Sequence, residues 1–357
     1  MSSTTSPAGG SSLSVDDLHG QFQRASDRAG GTLERTYRIG GKDIRLCYAG
    51  DALIERLSPS IQHLRTDDGG SSSEHRVEIW DGASTATAPP PIPPGAETLP
   101  PAGIATSVGE QRRSIYQAGV RTLSVVDWGR NRSWYWAGDV GLIPEWESST
   151  PLRHILHLWL ASQGVQFVHA GAVGRPEGGF IIVGKSGSGK SSTTLSTLGS
   201  DLLYAGDDYV AVSLDEAGRP HVHSLYGCGK LETAHVARFP RLEIVPRPER
   251  DGALPARRDK TIFYVRDTYP DQVTVGFPLK GIVVPRVSAH EPTELTDIPL
   301  TAALKALIPS TLFEIHGAGQ QALSMLTHVA RQVRTLELRL GTDMERIPEL
   351  FARALDS

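Results

Sequence analysis

A chain of 357 residues with formal charge −4 and 39% hydrophobic residues has enough apolar material for one large or two modest domains. Neither half nor either tail carries a basic block, which argues against a nucleic-acid or membrane-surface protein. No apolar run reaches the roughly 20 residues of a spanning helix, and Cys47 and Cys228, far apart in sequence, read as free thiols of a cytoplasmic protein.

The first 30 residues open with "MSSTTSPAGGSSLS", without the charged and apolar regions of a secretory signal. They read as a disordered tail, too polar to offset the entropy of ordering. "RTYRIGGKDIRLCYAG" alternates apolar and polar residues about a Gly-Gly turn, which predicts a hairpin from Arg35 to Ala49. "DALIERLSPSIQHL" then places Leu53, Ile54, Leu57, Ile61 and Leu64 at helical spacing, with Asp51 as N-cap and Pro59 as the point of a bend or break. "HRVEIWD" reads as a strand, and the proline-rich stretch over 88–103 as a loop or stiff linker. "RRSIYQAG", "TLSVVDWG" and "SWYWAGD" read as strands, the last two joined by a turn at Arg130–Arg132. Trp128, Trp134 and Trp136 are expected to pack in the core or across strands rather than to form a ligand platform. Residues 31–147 are therefore expected to form a small α+β domain rich in antiparallel strands.

The texture changes at Thr150. "TPLRHILHLWLASQG" predicts a helix with a threonine N-cap, proline at its first position and a terminal glycine. Short β-rich runs follow ("QFVHAGAV", "GGFIIVG", "LLYAGDDYVAVSL", "HVHSLYG"), around one helix from Lys190. "TIFYVRD", "VTVGFPLKGIVVPRV" and "TLELRLG" add strands, and "TAALKALIPS", "GAGQQALSMLTHVARQV" and "MERIPELFARAL" add helices. Residues 148–357 are expected to form an α/β domain with a buried mixed sheet under helical cover.

Within that domain, "GKSGSGKS" from Gly184 to Ser191 fits the G-x-x-x-x-G-K-[ST] pattern of a phosphate-binding loop. The pattern sits between the apolar "GFIIV" and the helical "KSSTTLSTL", the strand–loop–helix context it requires. Its glycines let backbone N–H groups converge on one centre, Lys190 would reach the β- and γ-phosphates, and Ser191 would give an oxygen to Mg²⁺. Gly184, Ser186, Gly187, Ser188, Gly189, Lys190, Ser191 and Ser192 form the candidate nucleotide set, although Ser192, like Lys185, occupies a variable position. The chain has only seven lysines against 29 arginines, so each lysine near a motif draws notice.

Asp207 and Asp208 follow Lys190 by one helix and one return strand, where a metal-binding carboxylate is expected. Two adjacent carboxylates allow one to hold Mg²⁺ while the other takes a proton from a hydroxyl. Asp67-Asp68, in a polar loop with no motif near it, reads instead as a solvated turn. His169, in the apolar "VQFVHAGAV", is a further candidate.

Taken together, "VHAGAV", "IIVGKSGSGKS", the helix and "YAGDDYVAV" resemble the HPr serine kinase/phosphorylase family, whose kinase domain is similar to the nucleotide-binding half of phosphoenolpyruvate carboxykinases. This match covers roughly residues 165–215. Over more of its length the chain resembles a bacterial group of HPr-kinase-like serine kinases, through "PLRHILHLWLASQGVQFVHAGAVG", "HSLYGCGKLE", "RRDKTIFYV", "LKGIVVPRV", "PSTLFEIHGAG" and "LGTDMERIP". Some of that group phosphorylate a serine of a lasso-peptide precursor. The resemblance implies a P-loop kinase fold that uses ATP and Mg²⁺. It implies Asp207 as base, Ser191 and Asp208 as metal ligands, His169 beside the transferring phosphate, and Lys230 and Lys260 as clamps on transition-state charge. The glycine-rich "RGLGI"-like signature of true HPr kinases is absent from this sequence, so the resemblance does not extend to HPr as substrate, to the phosphorylase reaction or to a hexamer.

The expected activity is transfer of a γ-phosphate to a hydroxyl, a peptide or protein serine first and a small molecule second. The competing class is a nucleotide switch or ATPase without an acceptor. Against it stand the absent [NT]-K-x-D and L-S-G-G-Q-like motifs and the spare carboxylate. Homo-oligomerisation and the identity of the nucleotide are left open by the sequence.

Overall fold

The computed structural model describes residues 15–66, 75–239, 260–288, 292–314 and 319–357. The first 14 residues of the expected tail, the Asp67-Asp68 turn, the opening of "RRDKTIFYV" and part of "PSTLFEIHGAG" lie outside them.

The expectation of a disordered tail through residue 30 is corrected by a helix at Val15–Arg28. Leu18, Phe22 and Ala25 recur four and three residues apart, so they share one helix face, and all three are buried. That face packs on Trp80 and Trp136, with the Phe22 and Trp80 rings 6.4 Å apart. Polar residues on the other faces dilute the stripe, which makes the segment look tail-like.

The helix lies on an eight-stranded sheet built from β1 (Thr32–Ile39), β2 (Lys42–Ala49), β3 (Arg65–Thr66), β4 (His75–Asp81), β5 (Ile104–Val108), β6 (Arg112–Gln117), β7 (Thr122–Asp127) and β8 (Arg132–Ala137). Its order is β3-β1-β2-β4-β8-β7-β6-β5. The β2–β4 and β4–β8 pairs are parallel and the others antiparallel. The first hairpin closes through Gly40 and Gly41, both at positive φ (61° and 73°), the two-residue turn whose twist suits paired strands. Trp134 and Trp136 are buried and Trp128 packs against the core, so the tryptophans serve packing.

The stripe after Asp51 is buried as the spacing predicts, but it is not one helix. A single turn at Ile54–Leu57, with Leu53 rather than Asp51 at its N-cap, gives way to a 3₁₀ turn at Pro59–Leu64. Pro59 lacks the N–H that would continue the first turn.

The second sheet comprises β9 (Gln166–Val168), β10 (Gly171–Arg175), β11 (Gly178–Ile182), β12 (Leu203–Gly206), β13 (Val210–Leu214), β14 (Pro220–Ser224), β17 (Gly276–Val287), β18 (Glu294–Asp297) and β19 (Arg334–Leu340). Between β14 and β17 in the chain, β15 (Cys228–Glu232) and β16 (Lys260–Tyr264) pair separately. The main order is β12-β10-β11-β17-β14-β13-β9, with β19 on β17 and β18 on β19. Pairings β11–β17 and β17–β19 are parallel and the rest antiparallel, giving the expected mixed α/β architecture. Alternation along β11 sends Ile181 to one face and Phe180 and Ile182 to the other. Helices Leu300–Glu314 and Gln320–Ala330 cover the first face through Leu307 and Leu326, and helix Ile347–Asp356 covers the second through Phe351.

Helix Arg153–Ser162 lies between the two sheets, and one apolar cluster runs from Ile44 and Val77 through Ile155 and Leu156 to Phe167 and Ala211. It starts at Arg153 rather than at Pro151. The Thr150 hydroxyl donates back to the Trp146 carbonyl at 3.2 Å, so it does not cap forward, and Leu152 takes a left-handed φ of 55°. Both cysteines are buried free thiols. Among the described residues no helix is long and apolar enough to cross a membrane.

Candidate active site

Topology alone brings the sequence candidates together. His169–Ala170 joins β9 to β10, and Asp207–Tyr209 joins β12 to β13. Since β9 pairs with β13 and β10 pairs with β12, the two joints lie side by side. The loop that leaves β11 runs past them into helix Lys190–Leu195. That helix is short because its Ser and Thr side chains bond back to its own carbonyls. Thr194 donates to Lys190, Ser196 to Thr193 and Thr197 to Thr194.

These elements wall a cavity of about 1370 Å³ that reaches the C-terminal end of β19 at Leu340. Its volume exceeds the roughly 300–1,000 Å³ of a typical small-molecule site. Ser186, Gly187, Gly189, Lys190, Ser191 and Ser192 line it, as do His169, Asp208, Lys230 and Lys260. Gly184 and Ser188 sit behind the wall, and Asp207 is buried behind Asp208. Lys185 is exposed and off the cavity.

The loop is built for close approach. Gly187 and Gly189 hold φ of 79° and 100°, values that disfavour any side chain. A Cβ at Gly189 would also stand 2.4 Å from Leu340 Cδ1. The Lys190 ammonium is buried and donates to the Gly184 carbonyl at 2.7 Å and to the Lys185 carbonyl at 3.4 Å.

The two aspartates sit in different fields. Asp207 is 2% exposed. Its Oδ2 accepts from the Lys230 backbone N–H at 2.9 Å. Its Oδ1 has no hydrogen-bond partner among the described residues. Burial pushes its carboxyl up to about 6, with the Asp208 charge adding to the rise, against the lowering effects of the Lys230 N–H, the Ser191 hydroxyl and Lys260. Asp208 is 26% exposed on the cavity wall. Lys230 Nζ binds its Oδ2 at 2.8 Å and His169 Nε2 approaches its Oδ1 at 3.3 Å. Burial opposes its ionisation, but Lys230 and then His169 outweigh it and hold the carboxyl well below the usual carboxylate range. The same pair raises Lys230 above its ordinary value, in spite of burial.

Lys230 and Lys260 come from the separate β15–β16 pair, where Lys260 faces Glu232 across the ladder. His169 is 12% exposed, its backbone N–H reaches Thr311 Oγ1 at 3.4 Å, and its ring lies 5.4 Å from that of Tyr209.

Three residues of this neighbourhood have no counterpart in the motif reading. Arg153 and Tyr209 line the cavity, with Arg153 Nη1 donating to the Tyr209 hydroxyl at 3.3 Å. Glu147 is buried close enough to Arg153 and Lys230 for both to favour its charge, while burial raises its carboxyl. A lone arginine in the otherwise apolar opening of "RHILHLWL" was the available signal for the first. Nothing local marks Glu147.

No family model matches the chain, and no curated protein matches it. Among solved structures, the HPr(Ser) kinase/phosphatase from Coxiella burnetii is similar over 54% of this chain and 96% of its own, at 10% identity and a TM-score of 0.30. So distant a likeness carries no weight for activity, which rests on the geometry of the site.

Proposed function

We propose that the protein is an ATP- and Mg²⁺-dependent phosphotransferase that moves a γ-phosphate to a hydroxyl, a serine of a peptide or protein before a small molecule. The observation that carries this reading is the pairing of a glycine-rich lysine loop with two adjacent, differently held carboxylates, Asp208 on the cavity wall and Asp207 buried next to it. A nucleotide and its metal fit the residues present. The loop glycines leave the backbone uncovered, Lys190 is bonded to loop carbonyls that a phosphate oxygen can replace, and Asp207 Oδ1 is a buried acceptor with no partner among the described residues.

In this reading Lys190 and the amides of Gly187–Ser191 hold the phosphates, and Ser192 lines the same wall. Ser191 and Asp208 hold the metal, which when bound would neutralise phosphate charge. Asp208 suits that role because its neighbours keep it ionised. Asp207 suits a general base, since a carboxyl near 6 is ionised at neutral pH yet basic enough to accept a proton. Lys230 and Lys260 supply positive charge, and His169 a hydrogen-bonding ring nitrogen, where charge builds on the transferring group. One observation favours the two aspartates in exchanged roles. The Ser191 hydroxyl hydrogen-bonds toward Asp207 and favours its charge, while Asp208 is the more exposed of the two.

The test is γ-labelled ATP with Mg²⁺, purified protein, and serine peptides or metabolite pools. Label on an acceptor, lost in Asp207→Asn, is the expected result. Label released only as inorganic phosphate with every acceptor would overturn the kinase in favour of an ATPase or switch. Asp207→Asn with full transfer but altered Mg²⁺ dependence would exchange the carboxylate roles.

A further inference from the structure

We propose that the acceptor carries an anionic oxygen group, carboxylate or phosphate, near its hydroxyl, and that Arg153 is the residue that seats it. The inference rests on the phosphotransfer reading and adds the substrate class.

Arg153 opens helix Arg153–Ser162 and shares the cavity with His169, Asp208 and Lys230. A short chain of contacts leads to it from the carboxylate. Asp208 Oδ1 lies 3.3 Å from His169 Nε2, the His169 and Tyr209 rings are 5.4 Å apart, and the Arg153 guanidinium carbon lies 5.7 Å from the Tyr209 ring centre. Arg153 therefore sits one aromatic ring away from the histidine that touches Asp208.

A guanidinium has five N–H donors. Among the described residues Arg153 hydrogen-bonds to a neutral hydroxyl, that of Tyr209, at 3.3 Å. Among the described residues it forms no ion pair. Glu147 favours its charge through space without reaching ion-pair contact, and among the described residues Glu147 Oε2 is itself buried without a hydrogen-bond partner. The neighbouring cations are engaged differently, Lys230 by Asp208 and Lys190 by the loop carbonyls.

Holding a guanidinium in a partly buried wall without a bonded carboxylate is unfavourable, and such a group gains most from a planar or tetrahedral oxyanion bound through two N–H groups. Of its five N–H donors, one on Nη1 goes to the Tyr209 hydroxyl. Trp146 and Thr150 line the same cavity. The alternative is that Arg153 only orients Tyr209, and through it His169. That role would make every acceptor equally dependent on Arg153.

The experiment uses paired acceptors that differ only in charge. Serine peptides with Asp beside the serine are matched to Asn peptides, glycerate to glyceramide, and glycerol 3-phosphate to glycerol. Each is measured by label transfer from γ-labelled ATP and by equilibrium binding in the presence of Mg²⁺ and a non-hydrolysable ATP analogue. Wild type should favour the anionic member of at least one pair by about tenfold or more. Arg153→Gln should remove that preference by weakening only the anionic member, and Arg153→Lys should restore part of it. The carboxylate and phosphate pairs identify which anion is seated. Equal binding of both members of every pair would overturn the proposal, and so would an equal loss for charged and neutral acceptors in Arg153→Gln. If the anionic preference appears in binding and depends on Arg153 while no label is ever transferred, the anion seat stands and the phosphotransfer reading falls.

Discussion

Lys230 Nζ sits 2.8 Å from Asp208 Oδ2 in an ion pair at the cavity wall, with 11% of the lysine side chain exposed. The same residue also fixes Asp207 through its backbone N–H, so one strand position of β15 holds both carboxylates. Side-chain and main-chain functions of Lys230 are therefore separable. Lys230→Met keeps the N–H to Asp207 and removes the charge beside Asp208. Label transfer should fall by about 10²–10³-fold, the usual effect of deleting one donor that stabilises transition-state charge. Near-normal turnover in this variant would reduce Lys230 to a structural counter-ion.

The two aspartates should have opposite effects on stability. Asp207 titrates near 6 in the folded protein against an ordinary 3.8. A carboxyl whose folded value is raised stabilises the fold fully below its unfolded value, and that contribution is lost as pH rises through about 6. The difference is worth roughly 3 kcal/mol. Asp207→Asn should therefore unfold at a higher temperature than wild type at pH 8 and show little difference at pH 4, while losing activity. Asp208 has the reverse sign, because its lowered carboxyl stabilises the fold above its unfolded value and loses that contribution on acidification. Asp208→Asn should be destabilised at pH 8. Thermal melts of both variants across pH settle the point, and matching shifts for the two would contradict the fields described above.

Activity should follow the same group. If Asp207 takes the hydroxyl proton, kcat/KM rises with pH through an inflection near 6, reporting the free enzyme. A profile flat from pH 5 to 7.5 would remove Asp207 from proton transfer.

The loop's two lysines should separate cleanly. Lys190 is buried and bonded to the Gly184 and Lys185 carbonyls, whereas Lys185 is exposed and off the cavity. Lys190→Met should weaken ATP binding by about 10- to 100-fold, the range of one or two charge-assisted hydrogen bonds. Lys185→Ala should change it little. Calorimetric titration with a non-hydrolysable analogue measures both, and equal losses would mean that the lysines act only through general charge.

The parts of the site legible in the sequence were those with fixed local spacing. "GKSGSGKS" between an apolar run and a helical one, and Asp207-Asp208 at the end of an apolar run, needed no knowledge of distant residues. Lys230 and Lys260 enter through the family resemblance rather than through local spacing, and both line the same cavity. Arg153, Tyr209 and Glu147 meet only when helix Arg153–Ser162 packs between the sheets, a long-range event with no local pattern. The helix expected from Pro151 starts at Arg153 because the Thr150 hydroxyl bonds to the Trp146 carbonyl instead of capping forward. The helix at Val15–Arg28 escaped notice because its stripe of Leu18, Phe22 and Ala25 is thin and its neighbours are polar.

That helix supplies a last prediction, about stability rather than chemistry. Phe22 is fully buried against Trp80, and His19 Nδ1 on the same helix meets the buried Glu78 at 2.9 Å. Glu78 also accepts from Trp134 Nε1 at 2.7 Å, so helix and sheet share one carboxylate. Phe22→Ala should cost about 3–5 kcal/mol through lost burial and the cavity left behind. The loss should appear as a lower melting temperature and a lower urea midpoint. ATP affinity measured well below the melt should stay unchanged, because the residues that line the cavity belong to other elements. An unaltered melt would mean that the helix contributes nothing to the fold. A loss of ATP affinity without a loss of stability would tie it to the site instead.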